Sequence, residues 1–418
     1  MQLYNALTGE KEKFEPKDNH VSIYICGITP YDTTHLGHAF TYASFDVLIR
    51  YLEYLGYEVS YVQNVTDIDD DILRKAGEEG EDWKTIGDRW TAHFIRDMKA
   101  LNVRPPEHFP RATEVIGDMI TTIQALLDAG YAYTNEGNVY FHVDSWDEFG
   151  KLSKVPRAEM LAIANEHGNH PDDPHKRDPL DFVLWQAQAE GEPAWDSPWG
   201  AGRPGWHIEC STMATDYLGD TVDIHGGGAD LAFPHHECEI AQAEGATGTV
   251  PFVRFWMHTA MVRHEGEKMS KSLGNLVMVR DLLEEGRHPD ALRVYMSTHH
   301  YRQPWEFHHA SLEKAAATAE RLRAAASVPS GEANALSARG ALKTFETALN
   351  DDLDTPVALM TMEQFAEQIM RVTKAGRDVR QAQVALRQMA GIFGLYLDQD
   401  EPETRVTEGW DWHLQKFA

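Results

Sequence analysis

A strand, a helix and a second strand follow one another near the start of this chain. VSIYICG (21–27) is an apolar, β-branched run that ends in glycine, which is typical of a buried strand. HAFTYASFDVLIRYLEYLG (38–56) has apolar residues at helical spacing, and EVSYVQNVTDIDD (58–70) predicts a second strand that leads into an acidic turn. This order predicts a βαβ unit in a parallel sheet, where ligands bind at the carboxyl ends of the strands.

The remaining segments predict an α/β domain interrupted by an insertion and followed by helices. Residues from about 100 to 200 are irregular and rich in Pro, Asp and His, and strand, glycine-loop and helix patterns return over 205–248. Helical patterns run from His308 to about residue 396, and the last twenty residues show no clear pattern. We expect two halves of a Rossmann-like α/β domain (1–115 and 205–260), an insertion (116–204), a region (261–307) that contains the lysine loop GEKMSKSLGN, and an all-α bundle (308–418).

Composition narrows the class of protein. The formal net charge of −28 opposes non-specific nucleic-acid binding but leaves room for a local basic face. Three cysteines, widely spaced and odd in number, favour reduced thiols over a disulfide framework. The N-terminal stretch lacks a signal-peptide pattern, and no apolar run reaches the ~18 residues of a membrane helix. We therefore expect a cytoplasmic protein without a membrane segment.

Two short motifs have the chemistry to bind polyphosphate. HLGH (35–38) lies between the first strand and its helix, where free backbone N–H groups attract phosphate and two imidazoles add donors. GEKMSKSLGN (266–275) offers two lysines that can neutralise a leaving pyrophosphate. Taken singly, the first motif is equally a polar patch and the second a solvated loop.

Together and in this order, the two motifs resemble the HIGH and KMSKS signatures of class I aminoacyl-tRNA synthetases. The resemblance implies a Rossmann-like fold that binds ATP with Mg²⁺ and joins an amino acid to AMP with loss of pyrophosphate. It also implies that His35 and His38 stabilise the reacting α-phosphate, and that Lys268 and Lys271 stabilise the pyrophosphate. Region 261–307 would then contact the acceptor stem of tRNA.

Cysteine, histidine and carboxylate side chains offer a second chemistry. Cys26 ends the first strand, Cys210 lies in GWHIECS, and FPHHECE supplies His235, His236, Cys238 and Glu239. Thiolates, imidazole and a carboxylate suit a tetrahedral zinc site, and His235 and Glu239 lie four residues apart on one helix face. Cys238 competes for the fourth position. Buried core cysteines and histidines are the structural alternative.

Four stretches, YICG, GWHIECS, DIHGGGADLAFPHHECEIAQAE and KMSKSLGN, resemble the cysteinyl-tRNA synthetases. The similarity runs from about Leu3 to Phe307 and continues more loosely through NDDLDTPVAL (350–359). It implies one Zn²⁺ per chain with the ligands Cys26, Cys210, His235 and Glu239. Because a thiolate is a far better zinc ligand than a hydroxyl, the metal would select L-cysteine over serine without an editing domain.

The same match implies the residues that surround the substrate and the adenylate. Trp206 and His225 would flank the substrate thiolate, with a packing tryptophan and a turn histidine as the alternative readings. Val262 would lie near adenine, and the glycine loop would approach adenosine closely because glycine has no Cβ. The complete implied set is Gly27, Thr29, Thr41, Asn64, Thr66, Trp206, His225, Gly228, Asp230 and Val262.

Two acceptors for the activated cysteine remain open. CGITPYDTTHLGHAFTY (26–42) and NEHGNHPDDPHKRDPLD (165–181) resemble the mycothiol-pathway ligases, which transfer cysteine to the amine of glucosaminyl-inositol. ECSTMA, DIHGGG, NVTDIDDDI and Glu239 resemble the synthetases, which transfer it to tRNA-Cys. We favour tRNA-Cys, with an anticodon module that is reduced or absent and a monomeric chain.

A tRNA substrate would need a basic face, and seven cations follow the lysine loop. They are Arg280, Arg287, Arg293, Arg302, Lys314, Arg321 and Arg323. The alternative is that they are ordinary helix charges paired with nearby acids. An inactive binding paralogue and an adenylate-forming enzyme without aminoacyl transfer are further hypotheses, and the intact motifs argue against the first.

Overall fold

The computed structural model describes residues 1–31, 34–269, 273–397 and 404–416, the first two residues of the last range by backbone only. The strands within these ranges are β1 (Gln2–Asn5), β2 (Glu10–Lys13), β3 (His20–Ile28), β4 (Glu58–Val65), β5 (Ala132–Asn135), β6 (Asn138–Phe141), β7 (Phe182–Ala187), β8 (Gly202–Pro204), β9 (Val222–Gly228), β10 (Val253–Thr259), β11 (Val262–His264), β12 (Glu267–Lys268) and β13 (Trp305–Glu306).

The helices are α1 (Leu36–Tyr54), α2 (Asp70–Glu79), α3 (Trp83–Ala100), α4 (Ile116–Asp128), α5 (Arg157–Glu166), α6 (Trp206–Leu218), α7 (Glu237–Thr247), α8 (Val279–Glu284), α9 (Pro289–Ser297), α10 (His309–Ser327), α11 (Arg339–Asn350), α12 (Thr355–Thr373), α13 (Arg380–Ile392) and α14 (Thr404–Gln415). Among them, in the part of the chain that is described, no helix is both long and apolar enough to cross a bilayer.

The central sheet has four parallel strands in the order β10-β9-β3-β4. Ile23 of β3 lies opposite Tyr61 of β4 on one side and Ile224 of β9 on the other. The chain therefore runs from the central strand β3 to the edge strand β4, and later from the central strand β9 to the opposite edge strand β10. The gap between the carboxyl ends of β3 and β9 is the switch point at which such sheets bind ligands.

Helices cover both faces of this sheet, which explains the continuous apolar sequence of β3. Ile23 and Ile25 pack in one core with Phe45 of α1, whereas Cys26 packs in a second core with Met213 of α6. Alternate residues of a strand point to opposite faces, so Cys26 faces the α6 side. The predicted βαβ unit and the α/β class are confirmed.

The Pro- and Asp-rich region contains an antiparallel sheet in the order β5-β6-β7-β8. Its long loop is held by Asp181, whose buried carboxylate accepts from the Tyr133 hydroxyl at 2.8 Å and the Val143 amide at 2.9 Å. Hydrogen bonds of this kind leave no periodic pattern in the sequence, so this region was predicted to be irregular.

The C-terminal helices are joined to the catalytic domain by a buried charge cluster. Asp46 of α1 accepts from Arg50 at 2.9 Å and from Arg293 of α9 at 2.5 Å. Arg293 also donates to the Phe393 carbonyl, and Arg50 donates to the Gly391 carbonyl near the end of α13. The carboxyl end of a helix carries partial negative charge, so it accommodates the second guanidinium.

The last residues form an element that the sequence did not predict. Helix α14 packs on the catalytic domain through Trp410, whose indole donates to the Val103 carbonyl at 2.8 Å. Buried His413 bonds the Pro106 carbonyl at 2.8 Å. The helix is short and mostly polar, and three of its described side chains, Val406, Trp410 and His413, are buried at helical spacing, which leaves a weak periodic signal.

Candidate active site and metal centre

The switch point brings four predicted metal ligands together. Cys26 comes from the end of β3, Cys210 from α6, His235 from the turn before α7, and Glu239 from its first turn. One donor atom from each lies within 4.8 Å of the other three, and all four residues are buried. Side chains from four separate elements therefore converge on one point.

The spacing of these donors fits a tetrahedral ion. Two sulfurs about 2.3 Å from zinc at the tetrahedral angle lie about 3.8 Å apart, and a sulfur and an oxygen lie about 3.6 Å apart. The Cys26 and Cys210 sulfurs are 3.9 Å apart, and Cys26 Sγ lies 3.5 Å from Glu239 Oε1. Glu239 Oε2 is fully buried and forms no hydrogen bond among the described residues, and its nearest ionisable neighbour is His225 Nε2 at 3.3 Å. A dication would compensate that buried oxygen.

His235 is oriented by its neighbours. Its Nε2 atom lies 3.0 Å from Glu239 Oε1, and its Nδ1 atom lies 2.9 Å from Nδ1 of His207. Trp206 stacks on the His235 ring with a centroid distance of 4.3 Å. A metal ligand whose second ring nitrogen is hydrogen-bonded has a fixed orientation, so Nε2 is the atom presented to the ion.

A second donor set shares two members with the first. Cys26, His225, His236 and Glu239 also meet within 4.8 Å, and Cys26 Sγ lies 3.3 Å from His236 Nε2. The sequence analysis placed His225 beside the substrate and gave His236 no role. Cys238 belongs to neither described set, so the geometry favours Glu239 over Cys238 as the fourth ligand.

Burial favours the neutral form of several of these groups. It raises the pKa of Cys26 and of Glu239 well above their ordinary values and lowers the pKa of His225 and of His236. Burial also acts to raise the pKa of Cys210, but the Cys26 hydrogen bond and the His235 charge outweigh it and bring that pKa to about 7. Metal binding to such a site releases protons from the ligands.

Beside the metal centre, hydrogen bonds connect the ends of β3 and β4 to α6. The Gly27 amide donates to Asn64 Oδ1 at 2.7 Å, Asn64 Nδ2 donates to Thr66 Oγ1 at 3.3 Å, and Thr66 Oγ1 bonds Glu209 Oε2 at 2.7 Å. A Cβ atom on Gly27 would lie 1.6 Å from the Asn64 carbonyl oxygen, so only glycine fits. Burial raises the pKa of Glu209, and the Thr66 bond opposes that rise.

HLGH begins α1 as expected, and His35 is its cap. His35 Nδ1 accepts from the amides of Gly37 at 3.1 Å and His38 at 3.4 Å, so the proton of the neutral ring is on Nε2. A Cβ on Gly37 would lie 2.9 Å from the His35 ring, which explains the glycine of the motif. The rings of His35 and His38 stack with centroids 3.7 Å apart.

The two signature segments are paired through their backbones. The Leu36 amide donates to the Val277 carbonyl at 2.8 Å, and the Val279 amide donates to the Thr34 carbonyl at 3.1 Å. Lys268 Nζ lies 3.0 Å from Asp230 Oδ2 in the glycine loop after β9. Lys271 lies outside the described residues.

The other predicted contacts occupy the surrounding cleft. Thr29 and Trp206 line a cavity of about 580 Å³ between the catalytic sheet and the insertion. Thr41 Oγ1 lies 2.7 Å from Thr259 Oγ1 of β10. Gly228 ends β9, and Val262 is buried at the start of β11.

The structure does not support the basic face expected after the lysine loop. Arg293 is buried against Asp46, and Arg302 donates to buried Asp352. Arg287, Arg321 and Arg323 pair with Glu313, Glu363 and Asp290, and Arg280 lies 3.6 Å from Asp281. Five of these arginines reach acids in other segments and Arg280 pairs within α8, which agrees with the alternative reading of paired charges.

Known proteins are similar to this chain over almost its whole length. The family of tRNA synthetases class I (C), catalytic domain, matches residues 13–317, and the DALR domain matches residues 344–398. Cysteine--tRNA ligase of Alkalilimnicola ehrlichii is 46% identical over 98% of this chain and 88% of that protein. This chain belongs to the cysteine--tRNA ligase family of class I synthetases.

The family prediction is thereby confirmed. The cysteine--tRNA ligase of Halorhodospira halophila is 47% identical over 96% of this chain and 86% of that protein. Among solved structures, methionyl-tRNA synthetase of Mycobacterium tuberculosis with methionyl-adenylate has a TM-score of 0.62 at 16% identity, covering 94% of this chain and 93% of that chain. At that identity the likeness shows the class I fold alone.

Two residues of this synthetase-family site received no role from the sequence. His236 directly follows the predicted ligand His235, and its Nε2 atom lies 3.3 Å from Cys26 Sγ. The backbone just before it is extended at Phe233, as the following proline favours. Glu209 is adjacent to Cys210 within GWHIECS, and its contact with Thr66 joins segments 143 residues apart. Only the pairing of strand ends with α6 brings these side chains to the site.

Proposed function

We propose that this chain activates L-cysteine with ATP to cysteinyl-adenylate, releases pyrophosphate, and transfers cysteine to the 3′ end of tRNA-Cys. The observation that carries the proposal is the convergence of two thiols, an imidazole and a carboxylate beside a phosphate-binding helix start. A thiol-selective metal site next to an ATP site is what discrimination between cysteine and serine requires.

Cys26, Cys210, His235 and Glu239 would hold one Zn²⁺, as their donor types and spacing fit. When bound, zinc favours the thiolate form of the substrate and accepts its sulfur as a ligand. Trp206 and His225 flank this position, and the stacked Trp206 ring keeps His235 in place. Gly27, Thr29, Asn64 and Thr66 lie where the amino-acid backbone would lie.

His35, His38, Lys268 and Lys271 would handle the phosphates of ATP, which enters with Mg²⁺. His35 presents Nε2–H because its Nδ1 atom caps α1, so it donates to the α-phosphate during in-line attack by the cysteine carboxylate. Lys268 would leave Asp230 to neutralise the departing pyrophosphate. Thr41, Gly228, Asp230 and Val262 would contact the adenosine.

The cysteine--tRNA ligase relatives favour tRNA-Cys as acceptor, and the amine of glucosaminyl-inositol is not favoured. We assign adenylation to 1–115 and 205–260, with the insertion 116–204 beside the substrate cleft. Region 261–307 carries the lysine loop, and the helical region 308–418 would contribute tRNA contacts.

The test is acceptor transfer with purified chain, ATP, Mg²⁺ and labelled cysteine. A tRNA-Cys transcript and glucosaminyl-inositol are offered in parallel, and a tRNA-Ser transcript is the control. We expect label on tRNA-Cys alone. Label on the sugar amine would overturn the acceptor, and the absence of cysteine-dependent pyrophosphate exchange would overturn the adenylation itself.

A further inference from the structure

We propose that one end of the helical bundle is a docking surface for the phosphate backbone of tRNA. The inference rests on the proposed function, because it takes tRNA-Cys as the acceptor. The surface, called here the basic edge, consists of residues 329–343 and 371–380, which hold two acidic residues and six cations. Because the whole chain has a net charge of −28, this local excess of positive charge runs against the composition of the rest. The six cations are Arg339, Lys343, Arg371, Lys374, Arg377 and Arg380.

Backbone hydrogen bonds bring the two ranges of the basic edge together. The Gly331 amide donates to the Arg377 carbonyl at 3.0 Å, and the Leu336 amide donates to the Asp378 carbonyl at 2.8 Å. The loop just before α11 is thus paired with the turn that connects α12 to α13. The start of α11 and the end of α12 therefore lie at the same end of the bundle.

Two of the six cations hold this turn, and the other four have no such role. Arg377 donates to the carbonyls of Asn334 and Ala335 at 2.9 and 3.1 Å, and Arg380 pairs with Asp378 at 2.7 Å. The arginines after the lysine loop are paired in the same manner. Four exposed cations of the basic edge form no ion pair with any residue that the structure describes, namely Arg339, Lys343, Arg371 and Lys374.

These four cations form two like-charged pairs. Arg339 and Lys343 are four residues apart on α11, and Arg371 and Lys374 are three residues apart at the end of α12, so each pair shares one helix face. Cations suit the end of α12, but α11 has no acidic residue in its first turn, where the helix dipole disfavours a cation. The two pairs repel one another at one end of the bundle, and a bound polyanion would remove that repulsion.

The absence of apolar surface favours RNA over a membrane as the partner. Among the described residues, the exposed large apolar side chains all lie outside 329–343 and 371–380. Binding at a membrane surface buries such side chains, whereas RNA phosphates are bound by Lys and Arg side chains alone. Arg50 of α1 donates to the Gly391 carbonyl of α13 at 3.2 Å, so the bundle is attached to the helix that begins at HLGH. RNA bound at the basic edge would therefore be held in a defined position relative to the ATP site.

The experiment measures the dissociation constant of a labelled tRNA-Cys transcript from the full chain by fluorescence anisotropy at several salt concentrations. For Arg371→Gln/Lys374→Gln we expect about 10-fold weaker binding and a slope of log Kd against log salt that is smaller by about 1.5, because two phosphate contacts are lost. Arg339→Gln/Lys343→Gln is an independent variant with the same expected result. The matched control is Lys17→Gln/Lys84→Gln, which removes two exposed cations of the α/β domain and should stay within about 2-fold of wild type.

Wild-type affinity and salt slope in either variant of the basic edge would overturn the proposal. Binding to anionic phospholipid vesicles that is lost in these variants, while their tRNA affinity stays at the wild-type value, would also overturn it. Thermal unfolding monitors the fold, which substitution of exposed side chains should leave unchanged. Failure of the proposed function is distinguishable. A wild-type chain that does not bind tRNA-Cys loses the acceptor together with the basic edge, whereas absent cysteine-dependent pyrophosphate exchange refutes adenylation and leaves the RNA measurement intact.

Discussion

Arg293 donates a 2.5 Å hydrogen bond to Asp46, and both side chains are almost completely buried. Asp46 lies on α1, the helix that HLGH begins, and Arg293 lies on α9, which follows the lysine loop. The pair therefore joins the helix that begins with HLGH to the segment that follows GEKMSKSLGN. Because Arg50 also bonds Asp46, one carboxylate compensates two guanidinium groups.

Removal of this carboxylate should be severe. Asp46→Asn leaves two buried cations, and we expect the free energy of unfolding to fall by about 3–5 kcal/mol in urea titrations. The matched control is Glu363→Gln, which breaks a half-exposed pair with Arg321 and should change stability by less than about 1 kcal/mol. Similar stabilities of the two variants would contradict the role of the buried cluster.

Glu239→Gln should reduce zinc content and weaken cysteine binding, because a neutral amide is a poorer zinc ligand than a carboxylate. Metal content by mass spectrometry and cysteine affinity by calorimetry are the measurements. Cys238→Ala is the control, since Cys238 belongs to neither donor set, and it should retain zinc. Zinc loss in Cys238→Ala but not in Glu239→Gln would move the fourth ligand to Cys238.

His35→Asn should separate two functions of one side chain. An asparagine oxygen can cap α1 as His35 Nδ1 does, but it offers nothing in place of Nε2–H. We expect unchanged thermal stability and a pyrophosphate-exchange kcat lower by about 10²–10³-fold. A variant with wild-type kcat would show that the ring serves only as a cap.

Lys268→Ala should slow pyrophosphate exchange by a similar factor, about 10²–10³-fold, because a charge on the leaving group loses its partner. Lys314→Ala, on the exposed side of α10, is the control and should keep wild-type exchange. Comparable losses in the two variants would indicate a general charge effect rather than a role of Lys268.

Asp97→Asn is expected to stabilise the chain above about pH 6. Burial raises the pKa of Asp97 to about 6, so ionised Asp97 destabilises the folded chain at neutral pH. The native state then binds more protons than the unfolded state between about pH 4 and 6, and wild-type stability falls as pH rises through that window. We expect a gain of about 1–3 kcal/mol above it.

The gain from Asp97→Asn should shrink toward pH 4, which urea titrations across this pH range would measure. Asp18→Asn, an exposed replacement, should stay within about 0.5 kcal/mol of wild type at every pH. A gain that does not depend on pH would assign the effect to packing instead of charge.

The sequence predicted the parts of the site that lie in continuous motifs. HLGH at the start of α1 and the βαβ unit follow from hydrophobic spacing and from glycine, because both depend on neighbours in sequence. The chemistry of the side chains named the candidate metal donors, but only the family resemblance chose Glu239 over Cys238 for the fourth position. Their convergence depends on β3, α6 and α7 meeting at the switch point, which spacing alone does not determine.

The sequence left open whether the seven cations after the lysine loop form a basic face or pair with acids, and the structure shows such pairs for six of them. Arg293 and Arg302 appear in sequence as charges on helices, but each has a buried aspartate partner from a distant segment. In the sequence, these arginines cannot be distinguished from surface charges, because their partners come from distant segments that meet only in the folded protein. Helix α14 was missed because its buried stripe consists of three described residues, Val406, Trp410 and His413, in a short and mostly polar segment.

The order β10-β9-β3-β4 also bears on how the protein is made. Cys26 and Glu239 approach within 3.5 Å although they are 213 positions apart in the chain. During synthesis the first thiol leaves the ribosome long before the carboxylate exists. A nascent chain therefore carries an incomplete donor set until α7 has emerged, and a metal ion bound by this set would stabilise the α/β domain only after both halves of the sheet are present.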